Sequence, residues 1–251
     1  MSFVDQIFMQ RRMHQMPVTL PIKNSKAFYE VNPSKIIALG LNYHAHIQES
    51  LSIKVKGLNP EVPKEPILFS KTPNVLVGPE EPIILPAFLK TLEFDDLRTD
   101  YEAELALIIG QRCKDVPAGK AYDYIYGFTC LNDVSQRNLQ NSEKAGWFRG
   151  KSLDTFGPVG PCVVLKENIG DAQQLDIKCR LNGKIVQESN TSHMIFKLPE
   201  IIAFVSKNFT LEKGDIITTG TPAGVGALKN GDIVEIEIEN IGVLKNPVRE
   251  E

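Results

Sequence analysis

Only four cysteines occur in the 251 residues, and they are too far apart to form a Cys-x-x-Cys pair. Cys113, Cys130, Cys162 and Cys179 so scattered exclude a disulfide framework and a thiolate zinc site, and predict buried, reduced thiols. Long apolar runs are lacking too. Nothing approaches the ~18 residues of a membrane span, and the start has no signal-peptide core, so a cytoplasmic protein is expected. There is no basic block, and a net charge of −3 argues against a nucleic-acid surface. The glycine-containing run Gly220-Thr221-Pro222-Ala223-Gly224 matches neither the Walker phosphate loop nor the dinucleotide fingerprint. What is present, 42% hydrophobic and 24% charged residues, suits a globular chain with ample material for a core.

The informative stretch is Tyr101-Glu102-Ala103-Glu104-Leu105-Ala106-Leu107-Ile108-Ile109-Gly110. As a strand it puts Glu102 and Glu104 on one face, and from Leu105 onward it is apolar on both faces. Two carboxylates at the mouth of a buried strand repel by roughly 4 kcal/mol at ~4 Å and an effective dielectric near 20. Either they are solvated at a frayed strand start, or a hard divalent cation meets them.

A second stretch, Gly40-Leu41-Asn42-Tyr43-His44-Ala45-His46-Ile47-Gln48-Glu49-Ser50, has two readings. As a strand, His44 and His46 share a face and form a His-x-His metal pair. As a helix, favoured because no turn residue interrupts residues 45–49, His46 meets Glu49 at i, i+3 and the carboxylate orients the ring. The alternative is two helix-surface residues. Residues 51–66 form a lysine- and proline-bearing loop long enough to act as a lid.

Elsewhere, residues 17–42 read as short strands broken by Pro21, Asn24 and Pro33. Strands are also expected at Ile67–Lys71 and Ile83–Pro86, and Ala121–Phe128 is apolar at helical intervals. Asp133 follows a short apolar stretch, as a third ligand on a neighbouring strand would, or else Asn132-Asp133 is a turn or cap; Lys151 reads as an anion-binding or loop lysine. Leu175–Leu181 alternates up to Asn182-Gly183, the strongest hairpin signal. Leu198–Asn208 is a helix with Pro199 in its first turn, and Val234–Glu239 a strand with one wet face. The tally predicts an α+β, strand-dominated fold.

Six segments together resemble the fumarylacetoacetate hydrolase family in its single-domain form: GLNYHAHIQES, DYEAELALIIG, GFTCLNDVSQRNLQ, FRGKSLDTFGPVGP, LNGKIVQESNTSHMIF and GDIITTGTPAGVG, in family order. The resemblance implies a mixed β-roll with flanking helices over residues 35–251, a packed extension over 1–34, and a homodimer. It also implies Mg²⁺ or Mn²⁺ held by Glu102, Glu104 and Asp133, a His46–Glu49 catalytic dyad with residues 44–62 as lid, and a catalytic Lys151. Arg137, Gln140 and Thr221 would hold the substrate. The activity implied first is hydrolysis of a C–C bond in 2,4-dioxo (acylpyruvate-like) acids through an enolate stabilised by the ion. The alternative is isomerisation or decarboxylation of 2-oxo or 2-hydroxymuconate-type dicarboxylates of aromatic catabolism, oxaloacetate included, with Lys54, Lys56 and Arg149 enlarging a cationic pocket. A non-catalytic metal-dependent binding protein is the third reading.

Overall fold

The structure, a computed structural model, describes residues 17–52, 62–142 and 147–251. Residues 1–16 of the expected extension, residues 53–61 of the lid, and with them Lys54 and Lys56, therefore lie outside the described residues. Strands dominate, as the sequence predicts, and among the described residues they form four sheets.

The central sheet has seven strands: β3 (Ile36–Gly40), β4 (Ile67–Lys71), β5 (Leu76–Val77), β8 (Ala103–Ile109), β9 (Ile125–Asn132), β11 (Gly157–Leu165) and β14 (Ile216–Thr218). Their order is β4-β3-β14-β8-β9-β11-β5. Every residue of β8 is buried. Its side chains divide by period two: Leu105, Leu107 and Ile109 enter one core cluster, Ala106 and Ile108 the other. On the second face lies the hairpin β1 (Val18–Pro21) and β2 (Phe28–Val31), which brings Leu20 and Val31 into contact with that cluster.

The first face is covered by a five-stranded sheet in the order β13-β12-β16-β17-β6, made of β6 (Ile83–Leu85), β12 (Asp176–Leu181), β13 (Lys184–Asn190), β16 (Ile233–Ile238) and β17 (Gly242–Glu250). Between β12 and β13, Asn182 and Gly183 take φ of 53° and 79°, the left-handed pair a tight two-residue hairpin requires. A third sheet, β10-β7-β15, joins β7 (Thr99–Tyr101), β10 (Ser135–Gln136) and β15 (Gly226–Ala227).

Four α-helices are described: α1 (His44–Ser52), α2 (Arg137–Ser142), α3 (Phe148–Lys151) and α4 (Leu198–Asn208). α4 carries Pro199 at its start, and its Ile201, Ile202 and Val205 pack on the core. None of the described helices is long and apolar enough to cross a membrane. All four cysteines are free and buried.

Two readings need correction. The helical spacing of Ala121–Phe128 corresponds to a 3-10 helix at Ala118–Tyr124, and β9 takes over at Ile125. Pairing with β8 on one side and β11 on the other outweighs the local periodicity there. The strand through Glu102 is not continuous either: β7 ends at Tyr101, β8 begins at Ala103, and the two belong to different sheets.

Candidate active site

Glu102 occupies the joint between two sheets, where the backbone is cross-bridged to the end of β9. Its N–H donates to Asn132 Oδ1 at 2.9 Å, and its carbonyl accepts from the Asp133 N–H at 2.9 Å. That pair of bonds carries Asp133, locally either a ligand or a turn residue by sequence, to the two glutamates. One carboxylate oxygen from each of Glu102, Glu104 and Asp133 lies within 4.8 Å of the others, and all three side chains are buried.

Cations compensate this charge unevenly. Lys151 Nζ donates to Glu102 Oε2 at 2.8 Å and to Asp133 Oδ2 at 2.6 Å. Lys71, at the end of β4, places Nζ 2.7 Å from Asp133 Oδ1. Arg137, opening α2, donates to Glu102 Oε1 at 2.5 Å, to Asp100 Oδ2 at 2.8 Å and to Gln140 Oε1 at 3.0 Å. Burial raises the Glu102 carboxyl, but the charges of Lys151 and Arg137 outweigh it and hold the group far below the usual carboxylate range. Burial lowers the Lys151 ammonium, and Asp133 and Glu102 more than reverse this. Glu104 is different. Among the described residues it makes no ion pair, and its Oε2 accepts from the Gly220 N–H at 2.9 Å. Burial, reinforced by the charges of Asp133 and Glu102, pushes its pKa well above the ordinary value.

This imbalance is the test of whether a cation fits. The donor set is all oxygen and converges from separate strands, and its least compensated member is the one a divalent ion would relieve. Hard oxygen donors of this kind suit Mg²⁺ or Mn²⁺. The Gly220 amide reaches Glu104 because Gly220 takes φ of 88°; a Cβ there would lie 2.7 Å from Asn42 Cβ.

The His-x-His reading is set aside by the helix α1, which begins at His44 and exposes that residue. His46 turns inward instead. Its Nδ1 is 3.2 Å from Glu49 Oε2, and both Glu49 oxygens accept from the Gly224 N–H at 3.0 and 3.1 Å. Burial raises the Glu49 carboxyl, and the bonds from His46 and Gly224 overcome that and leave it below the ordinary range. The dyad is thereby tied to the loop that also supplies Gly220 and Thr221.

A small cleft brings these groups together, lined by His46, Glu102, Glu104, Arg137, Gln140, Lys151 and Thr221 on its polar side. Leu39, Gly40, Leu41, Phe69 and Trp147 line the rest. Seven of the nine predicted site residues line the cleft; Asp133 is joined to it through the carboxylate cluster and Glu49 through its contact with His46. Arg149 is an exposed residue of α3 and is not among those lining the cleft.

Sequence reasoning missed three supporting residues. Lys71 reads as the polar end of a strand, yet is buried and donates to the Lys151 carbonyl at 2.5 Å. Asp100 anchors Arg98 as well as Arg137. Gln187 accepts from the Ala103 N–H at 3.0 Å and donates to Thr221 Oγ1 at 2.9 Å, joining β8 to the Thr221 loop. The run Arg98-Thr99-Asp100-Tyr101-Glu102, dense in charge just before an apolar strand, was the available signal for Asp100.

Residues 35–249 match the family model described as fumarylacetoacetate (FAA) hydrolase, C-terminal. The chain is 45% identical over 223 residues to the mitochondrial oxaloacetate tautomerase Fahd2a of Rattus norvegicus, covering 86% of this chain and 66% of the relative. Among solved structures, fumarylpyruvate hydrolase from Pseudomonas aeruginosa in complex with Mn²⁺ and pyruvate has a TM-score of 0.81 and 27% identity, covering 94% of this chain and 97% of that one. The 2-hydroxyhepta-2,4-diene-1,7-dioate isomerase from Mycobacterium marinum has a TM-score of 0.75 and 37% identity, covering 90% and 82% respectively.

Proposed function

The chain belongs to the fumarylacetoacetate hydrolase family, and from that premise we propose that it is a metal-dependent enzyme moving a proton at C3 of a short 2-oxo acid, of which oxaloacetate is the model substrate. The observation that carries the reading is the pairing of a buried three-carboxylate cluster with the His46–Glu49 dyad across one small cleft. Mg²⁺ or Mn²⁺ held by Glu102, Glu104 and Asp133 would act as a Lewis acid toward the 2-oxo acid and stabilise its enol form. The chain's own groups do the rest. Glu49 fixes the imidazole through Nδ1, so that His46 takes and returns the proton at Nε2. Lys151 and Arg137 hold the carboxylates in place, and Arg137, Gln140 and Thr221 line the position of the substrate's polar head.

The test is exchange of the C3 protons of oxaloacetate into D₂O, followed by NMR with Mg²⁺. Exchange should exceed the rate with Mg²⁺ alone, its enzyme-dependent part should disappear with chelator, and that part should fall by at least ~10²-fold in His46→Ala, the scale of general-base loss. Enzyme-dependent exchange that persists in chelator would refute the metal assignment. A second reading, cleavage of acylpyruvates with His46 activating a water, is supported by the near-complete structural overlap with the P. aeruginosa hydrolase. Release of pyruvate from acetylpyruvate, faster than proton exchange in oxaloacetate, would select it.

A further inference from the structure

The cleft has a polar wall and an apolar one, and the apolar wall is built around an aromatic side chain with a place prepared for it. Trp147 lies over Gly40 at the end of β3: a Cβ on Gly40 would fall 2.8 Å from Trp147 Cζ3 and 3.1 Å from Cη2. Only a glycine lets the indole come this close to the strand. The ring then meets Phe69 edge-on, with centroids 5.3 Å apart and planes at 66°. Phe69 is itself committed, because its face receives the Lys151 ammonium 4.8 Å from the ring centroid. Leu39 and Leu41 complete the surface and are buried. The room left between these walls is about 20 Å³, enough for little more than one water.

We propose that Trp147, seated on Gly40 and against Phe69, is the specificity-determining residue that limits the substrate to compact 2-oxo acids. A chain extending beyond the polar head meets the indole, whose retreat is checked by Gly40 on one side and Phe69 on the other. Trp147 is not one of the three carboxylate residues, so its removal lengthens the cleft without removing a metal ligand. The inference rests on the 2-oxo acid reading above, and deepens it to a limit on substrate length.

The experiment uses oxamate and a series of N-alkyl oxamates of increasing length, which carry the 2-oxo acid head and undergo no turnover. Binding to the full chain with Mn²⁺ is measured by calorimetry for wild type, Trp147→Phe and Trp147→Ala. In wild type, affinity should fall by at least ~10-fold between the short and long members, the discrimination a few methylenes can produce in a tight pocket. Trp147→Ala should reverse that order by a similar factor, with Trp147→Phe intermediate, while parent oxamate and Mn²⁺ alone bind as in wild type. The Lys151 N–H donates to the Trp147 carbonyl at 3.0 Å, so the unchanged Mn²⁺ and oxamate affinities also show that α3 has kept its place. Equal affinity across the wild-type series, or equal losses for every member in both variants, overturns the length limit alone. Failure of every oxamate to bind in the presence of Mn²⁺ overturns both the limit and the 2-oxo acid reading.

Discussion

Two Glu-x-Glu pairs, one straddling the start of β8 and one on β16, meet opposite fates. Glu102 and Glu104 are buried, 4% and 1% exposed, and belong with Asp133 to the carboxylate cluster. Glu235 and Glu237, with the same spacing on β16, point outward from the five-stranded sheet, and Glu237 pairs with Arg180 at the surface. The residues between and beyond explain the difference. Val234, Ile236 and Ile238 alternate with the glutamates and need only one covered face. The run from Leu105 to Ile109 is apolar on both sides, so the sheet around β8 must be covered twice, by the five-stranded sheet and by the β1–β2 hairpin. Carboxylates at the edge of such a strand are drawn out of water with it. They then require cations, which the surface pair does not.

The comparison is broken most severely at Lys71. Lys71→Met should destabilise the protein by about 3 kcal/mol or more in urea unfolding, because Asp133 would be left buried with one of its two lysines. A loss near zero would mean that the buried cluster tolerates imbalance as well as the surface does.

Glu104→Gln sharpens it further. The amide removes a carboxylate that its neighbours repel, so the metal-free protein should keep or raise its Tm. Mn²⁺ affinity should drop by more than the ~10–100-fold that loss of an orienting residue costs, as read by calorimetry. Unchanged Mn²⁺ binding would remove Glu104 from the ligand set.

Asp215 supplies a buried acid with ample partners, away from the cluster. It accepts from Ser34 N–H and Oγ at 3.1 and 2.6 Å and from the Glu212 N–H at 2.7 Å, and Lys35 Nζ is 2.5 Å away. Burial raises its pKa, and these partners outweigh burial and lower it. Because the folded pKa is depressed, its contribution is complete above the ordinary value of ~3.9 and disappears as pH falls through the lower folded value. Asp215→Asn should therefore flatten the acid limb of the stability profile, measured by urea unfolding between roughly pH 5 and pH 2. An acid limb identical to wild type would contradict the shift. The smallest change belongs to the surface pair: Arg180→Ala should cost less than about 1 kcal/mol, and a larger loss in the same unfolding assay would show that the surface pair is not of the weak exposed kind.

Local pattern carried much of this arrangement. The i, i+3 spacing of His46 and Glu49 on a run without turn residues places them together in α1, and period two places Glu102 and Glu104 on one side. Asp133 was legible locally only as one of two readings, because Asn132-Asp133 also has the composition of an ordinary turn. Its delivery depends on the register of β9 against β8, in which Ala103 faces Asn132. Lys71 and Gln187 were silent for the same reason: each acts across long sequence separations, on Lys151 and on Ala103 and Thr221.

By itself the sequence determined which side chains share a strand face or a helix turn, since those relations follow from the repeat of the backbone. It also determined that the strand after Glu104 must be buried on both sides, since it offers water no polar face. The tertiary structure alone decided which groups meet there: that Lys151 and Lys71 answer Asp133, that Gly220 is the donor to Glu104, and that Trp147 closes the cleft over Gly40. Those meetings are set by strand order and register between distant segments, and no local periodicity encodes them.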